Sequence, residues 1–201
     1  DDMMSLSSES IAVIVVLVVA GFLVGNFMAA RPNANQMRVA DFRLMARHSG
    51  IFPKLITCPN WLKDRYDTLK PTKKDAYARA DSMPWVAQYT VIIEDLRLPM
   101  AQYHVMADCW HLIPQQFYTP KMLTQVRRLD EQPIHLPEHI KAQVLGLSMK
   151  ANHISLYWLD DKYQHSQKAY KLDKIKAQSD LNDIKTQLMA WAKLIDGGKS
   201  P

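Results

Sequence analysis

The hydrophobic pattern divides the chain into one uninterrupted apolar run and a long remainder in which apolar positions recur at helix or strand spacing. The run extends from Ile11 to Ala30, carries no charge, and has Asn26 as its only polar side chain. About 20 apolar residues at helical rise match the hydrocarbon core of a bilayer, and a helix satisfies its own backbone groups there, as lipid demands. The pattern therefore predicts a transmembrane helix over 11–30 behind a short extracytoplasmic tail, 1–10. A cleaved signal peptide would have a basic leader, a shorter apolar core and a small-residue cleavage site. The tail instead carries Asp1, Asp2 and Glu9 with no Lys or Arg, and Met28-Ala29-Ala30 is a poor cleavage site. An uncleaved anchor is expected.

Residues 31–50 read as a basic juxtamembrane linker and helix. Pro32 disfavours a helical Arg31. Gln36 to His48 is amphipathic, with Met37, Ala40, Phe42, Leu44 and Met45, and Ser49-Gly50 supplies a helix end. The remainder, 51–201, reads as one domain. Ile51 to Cys58 predicts a short strand. Lys63 to Ser82 predicts an exposed loop with a short helix at Lys73–Arg79. Val86 to Glu94, with Tyr89, Thr90, Val91, Ile92 and Ile93, has the richest strand signal. Tyr103 to Ile113 is a second strand, and the short connection through Leu96-Arg97-Leu98-Pro99 predicts that the two pair antiparallel. Ile154 to Leu159 is a third.

Pro137 to Ala151 predicts a helix with Ile140, Val144, Leu147 and Ala151 on one face and Pro137 in its first turn. A long amphipathic helix is expected at about 162–196, with Ala177, Leu181, Ile184, Leu188, Trp191 and Ile195 spaced by four and three, ended by Gly197-Gly198. The expected fold is α+β: one N-terminal transmembrane helix, then a small domain with a mostly antiparallel sheet and a long C-terminal helix. Strands that do not alternate with helices argue against a doubly wound sheet.

Charge orients the anchor. All 25 Lys and Arg follow residue 30, and Arg31, Arg38, Arg43, Arg47 and Lys54 come soon after the run. The positive-inside bias puts the domain in the cytoplasm with the N-terminus outside, and the architecture of a short tail, one span and a compact domain looks like that of a bacterial inner-membrane protein. Against 17 carboxylates, those 25 cations give the part after the anchor a charge of +8. Arg31, Arg38, Arg43 and Arg47 are expected at anionic lipid headgroups. Nucleic acid is not favoured, because the cations are scattered and no aromatic stacking motif alternates with them. Two cysteines, Cys58 and Cys109, suit a reducing compartment.

The chemistry-bearing clusters are weak. The six glycines form no phosphate-cradling loop. His135-Leu136-Pro137-Glu138-His139 spells H-x-x-E-H, but a helix starting at Pro137 leaves His135 outside it. On a strand, Cys109 and His111 share a face, and His104 and Asp108 are expected on the other. Gly146-Leu147-Ser148-Met149-Lys150 lacks the closing glycine of a nucleophile elbow, and Ser148 is expected on a helix. No catalytic residue, metal site or cofactor is expected.

The leading expectation is a non-enzymatic accessory, scaffold or assembly subunit of a larger membrane complex. Gly21-Phe22-Leu23-Val24-Gly25 is a close-packing motif in lipid, with Asn26 beside it. Gly21, Gly25, Asn26, Leu181, Ile184, Leu188 and Trp191 are the expected contacts to other membrane proteins or a second copy, although the helical stripe suits core packing too. The alternative is a membrane-tethered metal- or thiol-dependent enzyme acting on a lipid or small substrate, drawing on Cys109, His111, His135, Glu138 and His139. A basic tether for nucleic acid is the third reading.

Overall fold

The computed structural model describes residues 8–29, 34–70, 84–163, 166–168 and 171–197. The expected tail, Arg31 and the expected helix at Lys73–Arg79 lie outside the described residues, the tail as far as residue 7. The apolar run forms α1, Ser8–Ala29. Its described side chains, 12–26, are all exposed. Among the described residues no helix is long and apolar enough to cross a membrane.

Helix α2 (Ala34–His48) buries Val39, Phe42 and Ala46. It ends as the Ser49-Gly50 pair predicts: the Gly50 N–H bonds the Arg47 carbonyl, and a φ of 77° suits a residue without Cβ. Phe42 and Ala46 belong to the same core as the sheet, so α2 is part of the packed unit and not a separate linker.

Six strands follow: β1 (Phe52–Thr57), β2 (Trp85–Ile92), β3 (Leu98–Met106), β4 (Cys109–Leu112), β5 (Val144–Ala151) and β6 (His153–Trp158). They form one sheet in the order β1-β2-β6-β5-β3-β4, antiparallel at every pairing. The expected direct pairing of β2 with β3 is wrong, because the β5–β6 hairpin lies between them. Tyr89 faces Leu156, Leu156 faces Leu147, and Leu147 faces Tyr103. The link after β2 therefore crosses three strand spacings, about 14 Å. It passes the tip of that hairpin, where the Ile93 N–H bonds the Asn152 carbonyl at 2.7 Å. The expected strand Tyr103–Ile113 is a hairpin instead. It turns at Ala107 and Asp108, whose positive φ values, 49° and 60°, match a two-residue turn.

One face of the sheet is covered by α2, by α4 (Pro120–Val126) and by α6 (Lys174–Asp196). Phe42, Tyr89, Tyr103, Trp110, Leu147, Leu156, Trp158 and the α6 stripe meet there as the main core. Tyr103 donates to the Val126 carbonyl at 2.7 Å and pins α4 to β3. Among the described residues the opposite face is covered at one end only. There a 3-10 turn (Asn60–Leu62) and α3 (Lys63–Leu69) place Trp61, Leu62 and Tyr66 against Val86, Leu145, Tyr157 and Leu159. Gly146 makes this cover possible. A Cβ on it would lie 2.5 Å from Leu62 Cδ2, 2.7 Å from Trp61 Cζ3 and 2.7 Å from the Tyr103 carbonyl oxygen.

Two expected helices are corrected. The segment from Pro137 holds only the four-residue α5 (Glu138–Lys141) before turning into β5, so Ser148 is on a strand. The C-terminal helix starts at Lys174. The Asp173 side chain caps it by accepting from the Lys176 N–H, and β7 (Ser166–Lys168) and β8 (Lys171–Leu172) precede it.

Candidate functional site

The side chains expected to act fall into separate places. Gly21, Gly25 and Asn26 are exposed on α1, with open space where either glycine would carry a Cβ. Leu181, Ile184, Leu188 and Trp191 are buried in the main core, Trp191 edge-on to Trp110 at 5.0 Å. They face the sheet and pack into its core.

The basic group after α1 also divides. Arg47 is exposed, and Arg38 donates to the Asn35 side-chain oxygen at 3.1 Å. Arg43 turns inward. Its Nε and Nη2 donate to the two carboxylate oxygens of Asp160 at 2.7 and 2.8 Å, and the Tyr89 hydroxyl donates to the same carboxylate at 3.0 Å. Arg43 is thereby engaged within the fold. The paired Asp160 carboxylate holds the Arg43 guanidinium even further toward its charged form, and burial pushes the Tyr89 hydroxyl well up. The turn carrying Asp160 (Asp160–Lys162) gathers further partners. Asn35 donates to the Asp161 carbonyl, Lys70 pairs with the Asp161 carboxylate, and Lys162 donates to the Leu69 carbonyl. The first turn of α2 through Asn35, its middle through Arg43, and the end of α3 through Leu69 and Lys70 are thus fastened to one turn.

The former catalytic pool is dispersed. His135 is exposed outside α5. His139, on α5, shares the buried Asp180 carboxylate with the Tyr163 hydroxyl, at 2.9 and 2.6 Å. Glu138 pairs with Lys141, which also meets Asp108. Cys58 is buried, and that burial pushes its thiol up, away from a reactive thiolate. Among the described residues no group of three metal-ligating side chains is arranged to hold an ion. His104 and His111 share a face, contrary to expectation, because they oppose one another in the β3–β4 register with ring centroids 5.8 Å apart.

Burial and the neighbouring His111 lower the His104 imidazole below its ordinary value, against a raising contribution from Asp130. The unfolded chain then takes up this proton first. Stability should be fully present above about pH 6.5 and decline as the pH falls below it. His104→Gln should remove that component, so thermal unfolding followed on both sides of pH 6.5 should show a flatter profile than the unmodified protein.

The surface that sequence reasoning missed is the open end of the outer sheet face. Register and alternate burial place Phe52 and Lys54 of β1, Gln88, Thr90 and Ile92 of β2, His153 and Ser155 of β6, and Ser148 and Lys150 of β5 on it. Hydroxyls and amides lock together across the strands. Gln88 donates to Ser155 at 3.1 Å, Ser155 and Thr90 are 2.8 Å apart, and Ser148 meets the Tyr157 hydroxyl at 2.9 Å. A shallow groove of about 550 Å³ runs over Phe52, Lys54, Gln88, Thr90, Ile92 and His153. The alternation of polar residues within β2 and β6 was the available signal, but it has meaning only once the covered face is known. No family model, curated protein or solved structure matches the chain.

Proposed function

We propose that the protein is a single-pass bacterial inner-membrane protein serving as a non-enzymatic accessory or assembly subunit of a larger membrane complex, anchored by α1 with its domain in the cytoplasm. The observation that carries this reading is the exposure of every described side chain from 12 to 26 on a 22-residue helix. A row of Val, Leu, Ile and Phe has a large free-energy incentive to leave water, and the domain does not cover it. At about 1.5 Å per residue the helix is roughly 33 Å long. Gly21 and Gly25, open to close approach, and Asn26 supply a face for a second helix.

Alkaline carbonate extraction of membranes holding the full chain tests the anchor. The protein should stay with the pellet, and Val15→Asp combined with Val18→Asp should release it, since each acid costs about 2.5–3.5 kcal/mol at the centre of a span. Release of the unmodified protein would overturn the anchor. Gentle purification and mass spectrometry test the assembly role. A stoichiometric membrane partner that is lost with Gly21→Leu and Gly25→Leu is expected, and a chain recovered alone would overturn that role while leaving the anchor standing.

A further inference from the structure

We propose that the open end of the outer sheet face is a docking site for an extended acidic segment of a partner protein. The six strands of the sheet contain no Asp or Glu. Strands disfavour both residues to some degree, but exposed positions ordinarily mix the two signs. Here Lys54, Lys150 and His153 share the open face, and Glu94 and Asp95 lie beyond the end of β2. The face therefore presents cations with no carboxylate among its own strand positions.

The spacing favours an extended chain. Lys54 lies opposite Gln88, and Lys150 lies opposite His153, which itself faces Ile92. Three strand spacings across and four residues along separate the two lysines by roughly 19 Å, about six residues of extended peptide. Between them lie Gln88 and Thr90, both held by the buried Ser155 hydroxyl, and Ser148, held by the Tyr157 hydroxyl; Gln88, Thr90 and Ser148 are part-exposed and able to meet a peptide backbone without further ordering. Phe52 and Ile92, each about half exposed, offer apolar contacts at the groove. A nucleic acid would call for several stacking aromatics and a denser row of cations, and Phe52 is the only exposed aromatic among the groove residues. The open face is built without α1, so the docking site and the membrane anchor stand or fall separately.

The test is fluorescence anisotropy with the full chain in nanodiscs of zwitterionic lipid and a fluorescein-labelled peptide alternating Glu and Val. Saturable binding that weakens with added salt is expected. Lys54→Glu combined with Lys150→Glu should weaken it about tenfold or more, because both changes set like charges against the peptide. Both lysines are exposed, and retained thermal unfolding of the variant would show that the fold is intact. The same reversals at Lys174 and Lys176 on α6, against the other face, should leave binding unchanged. Absence of binding, equal losses from both pairs of changes, or tighter binding of an oligothymidine or of phosphatidylglycerol vesicles would each overturn the proposal.

Discussion

Replacing Arg43 by Met is expected to lower the unfolding free energy by about 3–5 kcal/mol. Asp160 is almost fully buried, and Arg43 supplies two of the hydrogen bonds its carboxylate accepts. Removing the guanidinium leaves a negative charge beneath α2 with only the Tyr89 hydroxyl among the side chains seen to donate to it. Desolvation of an unpaired carboxylate dominates here, and it exceeds the packing lost with the side chain. Tyr89→Phe removes one hydrogen bond to a charged group and should cost less, about 1.5–3 kcal/mol. Lys70→Met tests the contrasting case, since the Lys70–Asp161 pair is largely exposed and should be worth at most about 1 kcal/mol. Adding Asp160→Asn to Arg43→Met should restore part of the loss, because the neutral amide no longer needs a counter-charge. Urea unfolding of the full chain in detergent, read by tryptophan fluorescence, measures all four variants. A loss below about 1 kcal/mol for Arg43→Met would mean that solvent reaches the carboxylate.

The same ion pair shows why α2 was read only in part. Its amphipathic pattern and its Ser49-Gly50 end were legible because both are local. That Arg43 would turn inward was not, because its partner is 117 residues away and Asp160-Asp161 reads as an ordinary polar turn. Strand β5 was misread for a related reason. Val144, Leu145, Gly146 and Leu147 are all buried, because helices cover one face and Trp61 and Leu62 cover the other. A strand buried on both faces loses its alternation, and the apolar residues that remain at 140, 144, 147 and 151 imitate a helical face. Placing β5 and β6 in the middle of the sheet puts Val144, Leu145, Leu147, Tyr157 and Trp158 where both faces are covered, and it separates β2 from β3 despite their short link. The start of α6 was recoverable, since Asp173 is a good N-cap three residues before Lys176. The open polar face was not recoverable, because it depends on which half of the sheet α3 leaves bare.

The stripe on α6 permits a direct separation of core packing from partner docking. Leu188→Ala should cost about 2–5 kcal/mol and Trp191→Ala about 3–5 kcal/mol, each combining lost transfer energy with a cavity. Leu188 is fully buried, and Trp191 meets Trp110 edge-on beneath the sheet. Neither side chain can collapse inward without moving the helix, because Leu181, Ile184 and Ala192 beside them are fully buried too. Ile175, on the first turn and 85 % exposed, is the matched control, and Ile175→Ala should change stability by less than about 0.5 kcal/mol. A docking stripe would give the opposite result, with stability unchanged by Leu188→Ala and partner recovery reduced. Denaturant unfolding of the three variants distinguishes the two. If Leu188→Ala unfolds at the same urea concentration as the unmodified chain, α6 does not close this core, and its apolar face must be covered by another molecule.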